Sequence, residues 1–195
     1  MTASTTIRFV LSAFCTVLLA ACAQSGPVLL QDIVYQVPTG SAPVPSKAVI
    51  AVSPLKDVRG GSVSALGKRT ISDDIQNDLV VQGTVADLVT SALKDALQAQ
   101  GVTVKDAPAG DAALLLGGEI RTCWIDVTSR PLKAQYKASV QLRVTIADVP
   151  GAPARVVNAQ STLTRDDVVF SFSTVQSTLS EALTSALNQL LTDEE

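Results

Sequence analysis

The chain has 195 residues, 47% of them hydrophobic and 17% charged, and its formal net charge at pH 7 is −3. This composition permits one domain with a hydrophobic core. Histidine does not occur, which excludes histidine triads and His-ligated metal sites, and three cysteines are too few for a Cys₄ zinc site. The acidic balance also argues against a nucleic-acid partner, so we expect no metal, no cofactor and no nucleic acid.

The N-terminus is typical of an export signal. Arg8 is the only charged residue of the first 22, and a mostly apolar stretch follows it from Phe9 to Ala21. This stretch is too short to span a bilayer, which needs about 20 residues, but it has the length of the apolar region of a signal peptide. A buried core helix is the alternative, and the N-terminal position disfavours it. We predict a signal peptide over residues 1–21.

The end of this stretch, Leu19-Ala20-Ala21-Cys22, resembles the cleavage motif of bacterial lipoproteins. The resemblance implies that Cys22 becomes the mature N-terminus and carries acyl chains such as palmitate, which together anchor a protein stably in a membrane. Ala23 replaces the Asp that favours inner-membrane retention in such proteins. The resemblance therefore implies the outer membrane, facing the periplasm, with orientation to the cell exterior as an alternative.

Residues 22–46 are rich in proline and are predicted to form an extended tether. These residues could reach about 75 Å from the membrane. Two short apolar groups at 28–30 and 33–35 leave a second interpretation open, in which residues 28–37 are a strand docked on the domain.

Residues 47–195 are predicted to form one domain of class α+β, a mainly antiparallel sheet with two helices packed on one face. A buried strand at 48–52 precedes a polar loop at 57–82. The spacing of apolar residues predicts a helix that Thr84 opens and Gly101 ends. Alternation predicts strands at 112–127 and 136–146 and a hairpin partner at 155–163. A capping-box pattern at Ser173 begins the last helix.

Catalytic chemistry finds little support in the motifs. The glycine spacing from Gly61 to Gly67 is wrong for a P-loop, and Arg69 stands where a Mg²⁺-binding Ser or Thr belongs. Acidic groups at 73–78 and 166–167 have no calcium-loop spacing. Cys123 lacks a histidine to activate it and is typical of a small buried hydrophobe. We predict no catalytic residue and no enzyme activity.

Four charged residues in and beside the predicted loop are candidates for recognising a partner: Asp57, Arg59, Lys68 and Arg69. They follow the first buried strand, where sheet ends often present binding groups. Asp57 and Arg59 could instead pair with each other and order the loop.

Four features together resemble the YajG-type lipoproteins of Gram-negative bacteria. They are the strand ending in Val52-Ser53-Pro54, the helix leading to Gly101-Val102, the alternating strand pair and the final helix after Phe170. The resemblance implies a compact periplasmic α+β domain and supplies no catalytic residues. Its outline is also similar to lipoproteins that activate cell-wall synthases and to auxiliary lipoproteins of ABC-type lipid transport. We predict an outer-membrane-anchored, non-enzymatic binding or accessory module of an envelope complex. The alternative is an auxiliary lipoprotein of lipid or ABC-type transport that binds an apolar ligand.

Overall fold

The computed structural model describes residues 26–38, 48–72, 75–148 and 154–192. The predicted signal peptide, its cleavage motif and Cys22 lie outside these residues. The described part contains nine strands and two helices, in the order β1 (Val28–Leu30), β2 (Val49–Val52), β3 (Lys56–Asp57), β4 (Ala65–Ile71), β5 (Ile75–Val81), α1 (Val85–Ala99), β6 (Thr103–Asp106), β7 (Leu114–Arg130), β8 (Lys133–Asp148), β9 (Arg155–Asp167) and α2 (Phe172–Thr192).

Strand β7 is the centre of the sheet. One of its edges pairs with β8 along nearly the whole strand, and β8 in turn pairs with β9, both in antiparallel orientation. The other edge pairs in parallel with β2, β3 and β4 in succession. Strands β5 and β1 extend the sheet beyond β4, and β6 extends it beyond β2.

The two faces of the sheet differ sharply. Alternate residues of β8 from Ala134 to Val144 are buried, and the residues between them are exposed or nearly so. Both helices pack on the buried side, which we call the inner face, and the apolar stripes of α1 and α2 join one core with it. The opposite side, the outer face, has no helix over it in the described residues. The prediction of two helices on one side of an α+β sheet agrees with this arrangement.

The prediction of a mainly antiparallel sheet needs correction, because the sheet is mixed. Five strand pairings are parallel, namely β1–β5, β2–β6, β2–β7, β3–β7 and β4–β7. The hairpins β4–β5, β7–β8 and β8–β9 supply the antiparallel pairings. Parallel partners are distant in sequence, so their pairing leaves no local pattern that a sequence could reveal.

The predicted loop at 57–82 is largely a hairpin, which is a second correction. Strands β4 and β5 pair within it, and β4 also pairs with β7. A bulge lies between Ala65 and Gly67, and a Cβ on Gly67 would fall 1.9 Å from the carbonyl oxygen of Ile125. Glycine is therefore required for β4 to approach β7 this closely.

The described part of the predicted tether, residues 26–38, is part of the domain. Strand β1 pairs in parallel with β5, and the buried side chains of Ile33 and Tyr35 pack beyond it. The Tyr35 hydroxyl donates to Asn188 Oδ1 of α2 at 2.8 Å, and the Gln36 amide donates to Thr184 Oγ1 at 2.9 Å. Of the two interpretations open for residues 28–37, the structure shows the docked segment.

The sequence predicts the start of α1 correctly and the start of α2 less accurately. Thr84 Oγ1 accepts from the Asp87 amide at 3.0 Å and caps α1 as predicted. Helix α2 begins at Phe172, earlier than the capping pattern at Ser173 predicts, and the Gln176 side chain donates to the carbonyl of Gln31. Among the residues that the structure describes, neither helix is long and apolar enough to cross a membrane.

Candidate functional site

A cleft of about 540 Å³ opens on the outer face, near the start of β4. One wall is the turn at 59–62, which follows β3. The floor and the other wall come from outward side chains of β4, β5 and β7, among them Lys68, Asp78, Thr122 and Trp124. Because the positions come from four separate segments, only the folded sheet brings them together.

Arg59 and Asp57 fix the turn that forms the first wall. The guanidinium donates to both carboxylate oxygens of Asp57, through Nε at 2.9 Å and Nη2 at 2.8 Å. Its Nη1 donates to the carbonyl oxygens of Ala65 at 2.9 Å and Cys123 at 2.7 Å. The two side chains are only 8% and 15% exposed. Arg59 thus joins β3, β4 and β7, which is the loop-ordering role left open by the sequence.

The hydrogen bonds from the Arg59 side chain hold the pKa of the Asp57 carboxyl below its usual value, against the opposing effect of burial. The carboxylate therefore stays ionised at neutral pH and keeps the guanidinium in place. Since its donors point at these acceptors, Arg59 shapes the cleft through position rather than by offering a free charge.

Lys68 lies on the floor of the cleft within a row of alternating charges. The register of the sheet sets Lys68 between Asp78 of β5 and Asp126 of β7, and Lys137 of β8 follows Asp126. Opposite charges at directly neighbouring positions stabilise a sheet modestly. This row gives the outer face a polar surface with charges of both signs.

Trp124 is the only tryptophan of the chain and lies on the otherwise polar outer face of β7. Its Nε1 donates to Asp126 Oδ1 at 2.8 Å, which orients the indole on the sheet. Its neighbours across β8 and β9 are Ser139 and Thr162. An oriented, partly exposed indole beside charged groups is a common anchor of binding surfaces.

Cys123 lies next to Trp124 but points the opposite way. Its side chain is fully buried in the core, and burial raises the pKa of the thiol to about 12. At neutral pH the sulfur is therefore a thiol, which is a poor nucleophile. No group of three or more acidic or cysteine residues in the described ranges could hold a metal ion.

Arg69 does not line the cleft, although it follows Lys68 in the sequence, because neighbouring residues of a strand point to opposite faces. Its guanidinium lies on the inner face, 3.5 Å from the centre of the Phe170 ring, and burial lowers its pKa. Phe170 stacks in turn on Tyr136. Of the four charged residues predicted from the sequence, Asp57 and Arg59 together fix the turn. Lys68 lies in the cleft, whereas Arg69 contacts an aromatic ring on the inner face.

Trp124 and Arg121 complete the cleft, and neither was among the residues predicted from the sequence. A bulge in β7 between Ile120 and Thr122 places Arg121 at its rim, 49% exposed. One signal was present for Trp124. It occupies an outward position in an alternating strand between Thr122 and Asp126, where polar residues are expected.

The fold and the cleft define a two-layer α+β domain with one helix-covered face and one open, polar face. The chain belongs to a family described as uncharacterized lipoprotein, whose model matches residues 36–195. The YajG-type lipoprotein family indicated by the sequence is thereby confirmed. Membership implies membrane anchoring. No curated protein matches the chain.

One solved structure shares this fold at low identity, and two further structures have lower similarity. Protein XCC0632 from Xanthomonas campestris, of family DUF330, superposes with a TM-score of 0.55 at 15% identity, over 86% of this chain and 91% of that one. A PelC dodecamer from Paraburkholderia phytofirmans gives 0.40 at 15% identity, over 76% and 93%. A homolog of a neuraminyllactose-binding hemagglutinin from Helicobacter pylori gives 0.44 at 10% identity, over 86% and 92%. The first comparison supports the fold alone.

Proposed function

We propose that this protein is a lipoprotein acylated at Cys22, anchored in the outer membrane and facing the periplasm, and that it binds an envelope protein in the outer-face cleft without catalysing a reaction. The observation that carries the proposal is the oriented indole of Trp124 in a cleft of about 540 Å³ whose turn is fixed by Arg59. A preformed cleft reduces the conformational entropy that a partner must overcome on binding.

The side chains of the cleft support binding more than catalysis. The chain has no histidine, and the Cys123 thiol is buried with a pKa near 12. The Asp57 carboxylate is occupied by Arg59. What the cleft presents is an indole with Lys68, Asp78 and Arg121 around it. Trp and Arg are enriched among residues that dominate binding energy at protein interfaces.

Photo-crosslinking in intact cells tests this binding role. A photoreactive amino acid at Thr122, in the cleft, should trap one dominant envelope protein. The matched control is Thr164, which lies exposed on the same outer face but on β9, and it should not trap that protein. Adding Trp124→Ala should reduce the Thr122 crosslink at least about tenfold. Equal crosslinking from both positions, or insensitivity to Trp124→Ala, would contradict the proposed cleft.

Localisation is tested through residues 22 and 23. Cys22→Ser should leave the chain folded, free of labelled palmitate and unprocessed at the cleavage motif. Ala23→Asp should shift the protein to inner-membrane fractions in a density gradient, whereas Ala23→Ser should not. Palmitate on the Cys22→Ser variant would exclude this anchor, and an unchanged distribution of Ala23→Asp would contradict the proposed sorting.

A second cleft favours the alternative function of apolar-ligand binding. It has a volume of about 420 Å³ and lies where the ends of α1 and α2 approach β2, with Ile50, Leu97, Val102 and Leu191 among its lining residues. Native mass spectrometry of the purified protein distinguishes the two functions. A copurifying apolar ligand that Val102→Arg removes would support transport, whereas its absence would leave the outer-face cleft as the favoured site.

A further inference from the structure

Four exposed apolar side chains lie at one end of the sheet. We call the apolar end the set Leu132, Val168, Val169 and Phe172, which are between 44% and 84% exposed. Leu132 lies in the turn between β7 and β8, and the other three follow β9. Because Ala134 of β8 pairs with Asp167 of β9, these two segments reach the same end of the sheet.

The N-terminal segment enters the domain at this same end. Gly26 accepts a hydrogen bond from Asn77 of β5, and Asn77 pairs with Arg69 of β4 two residues before β4 ends. Strand β4 runs parallel to β7, so its last residue, Ile71, pairs with Ser129 next to the β7–β8 turn. Gly26 therefore lies toward the same end of the sheet as the apolar end.

Only four peptide steps separate Gly26 from Cys22. At about 3.3–3.6 Å per step, the Cα atoms of these residues are no more than about 14 Å apart. Acyl chains on Cys22 would therefore hold this end of the domain against the bilayer surface. The 75 Å reach expected of a long tether does not apply, since residues 28–37 are docked on the sheet and on α2.

The turn at Leu132 is an independent observation. Arg130 pairs with Lys133, so Pro131 and Leu132 form a two-residue turn, and Leu132 has φ +61°. Glycine or asparagine is preferred at such a position because a branched side chain is strained there. A leucine that is strained and also 84% exposed is favoured neither by the turn nor by water.

We propose that the apolar end inserts into the interface of the phospholipid bilayer that holds the Cys22 acyl chains, an inference that rests on the proposed acylation. Charges of both signs flank it, Arg130 and Lys133 on one turn and Asp166 and Asp167 on β9, so the contact is apolar rather than electrostatic. A short link raises the effective concentration of the domain at the surface to roughly the millimolar range, and weak insertion then suffices.

Depth-dependent fluorescence quenching tests this contact. Full-length acylated protein is reconstituted in vesicles of phosphatidylethanolamine and phosphatidylglycerol that contain brominated lipid. An environment-sensitive fluorophore is attached to Leu132→Cys or, as the matched control, to Val63→Cys, an exposed apolar residue before β4 at the opposite end. Labelling is selective because Cys123 is fully buried.

The probe at position 132 should shift to shorter wavelength and be quenched several-fold more than the probe at 63. Equal quenching of both probes, or of neither, overturns the inference. The intact mass of the same sample reports acylation separately. An unacylated Cys22 overturns the anchor together with the inference, whereas an acylated chain with an unquenched probe at 132 overturns the inference alone.

A second variant separates insertion from folding. Leu132→Asn suits the turn and removes the apolar side chain, so a fluorophore at Val168→Cys should lose several-fold in quenching while the protein remains folded and anchored. Val63→Asn is the control and should leave that quenching unchanged. Unchanged quenching in Leu132→Asn contradicts a contribution of this turn to insertion.

Discussion

Arg59 and Arg69 are ten residues apart in the sequence and show how differently the two ends of the sheet are built. The Arg59 end is polar, and the Arg59 guanidinium donates hydrogen bonds to a carboxylate and to two carbonyl oxygens. The Arg69 end is aromatic and apolar. The Arg69 guanidinium lies on the Phe170 ring, and among the described residues its one hydrogen bond is the 3.4 Å contact to Ser129 Oγ. An arginine fixes a turn by hydrogen bonds at one end of the sheet, whereas at the other end an arginine packs on an aromatic ring.

The largest destabilisation is expected from Arg59→Ala, at the polar end of the sheet. The substitution removes four hydrogen bonds and leaves the largely buried Asp57 carboxylate without its cation. We expect a loss of about 3 kcal/mol in the free energy of unfolding, measured by urea denaturation. The control is the double variant with Asp57→Ala, which should recover part of the loss because no charge is left uncompensated. A loss below about 1 kcal/mol would show that the pairing of Arg59 with Asp57 contributes little to the stability of the fold.

A smaller effect is expected where Arg69 meets Phe170. Phe170→Leu removes the ring from the guanidinium and from Tyr136, and we expect a loss of about 1 to 2 kcal/mol. A double-mutant cycle with Arg69→Met isolates the pair and should give a coupling of about 1 kcal/mol. Additive single effects would mean that the ring and the cation do not interact.

The turn at Leu132 should respond with the opposite sign. Asparagine tolerates a positive φ, so Leu132→Asn should raise the free energy of unfolding by up to about 1 kcal/mol. Val63→Asn, at the other end, should change it by less than about 0.5 kcal/mol. Thermal denaturation of both variants measures the difference, and destabilisation of Leu132→Asn would show that the leucine contributes to packing.

The stability of the Arg59 end is expected to depend on pH through Asp57. The folded-state pKa of Asp57 is lowered, so its contribution to stability is complete above about pH 4 and is lost as the pH falls through the lowered value. We expect Asp57→Asn to be less stable than the parent at pH 7, with the difference shrinking below about pH 4. Urea titrations at several pH values measure this trend, and a constant difference would contradict it.

The helix faces and the long antiparallel strands could be predicted because their signals are local. The stripe of α1, its Thr84 cap and the alternation along β8 each depend on residues within one element. The hairpin at 65–81 could not, since its polar outward residues and Gly67 resemble a loop, and β4 is completed by its pairing with β7. Tertiary pairing decided that segment over local composition.

The candidate site shows the same limit. Asp57 and Arg59 are close in sequence, and their proximity predicts that they could pair with each other. The cleft needed Trp124 and Thr122 from a strand more than fifty residues away. The apolar end joins two turns that the sequence does not connect, although Pro131-Leu132 and Val168-Val169 place apolar residues where turns usually have polar ones. Apolar residues at turn positions are therefore the feature of the sequence that indicates the apolar end.

The length of strand β8, which has sixteen residues, defines the distance between the two ends of the sheet. At about 3.3 Å per residue the strand is roughly 50 Å long, and it runs from the apolar end to the opposite end of the sheet. In the proposed orientation this length, rather than a proline-rich spacer, sets the height above the bilayer at which the domain meets other molecules. Paired insertions in β7 and β8 would raise that height by about 7 Å for every two residues added to each strand.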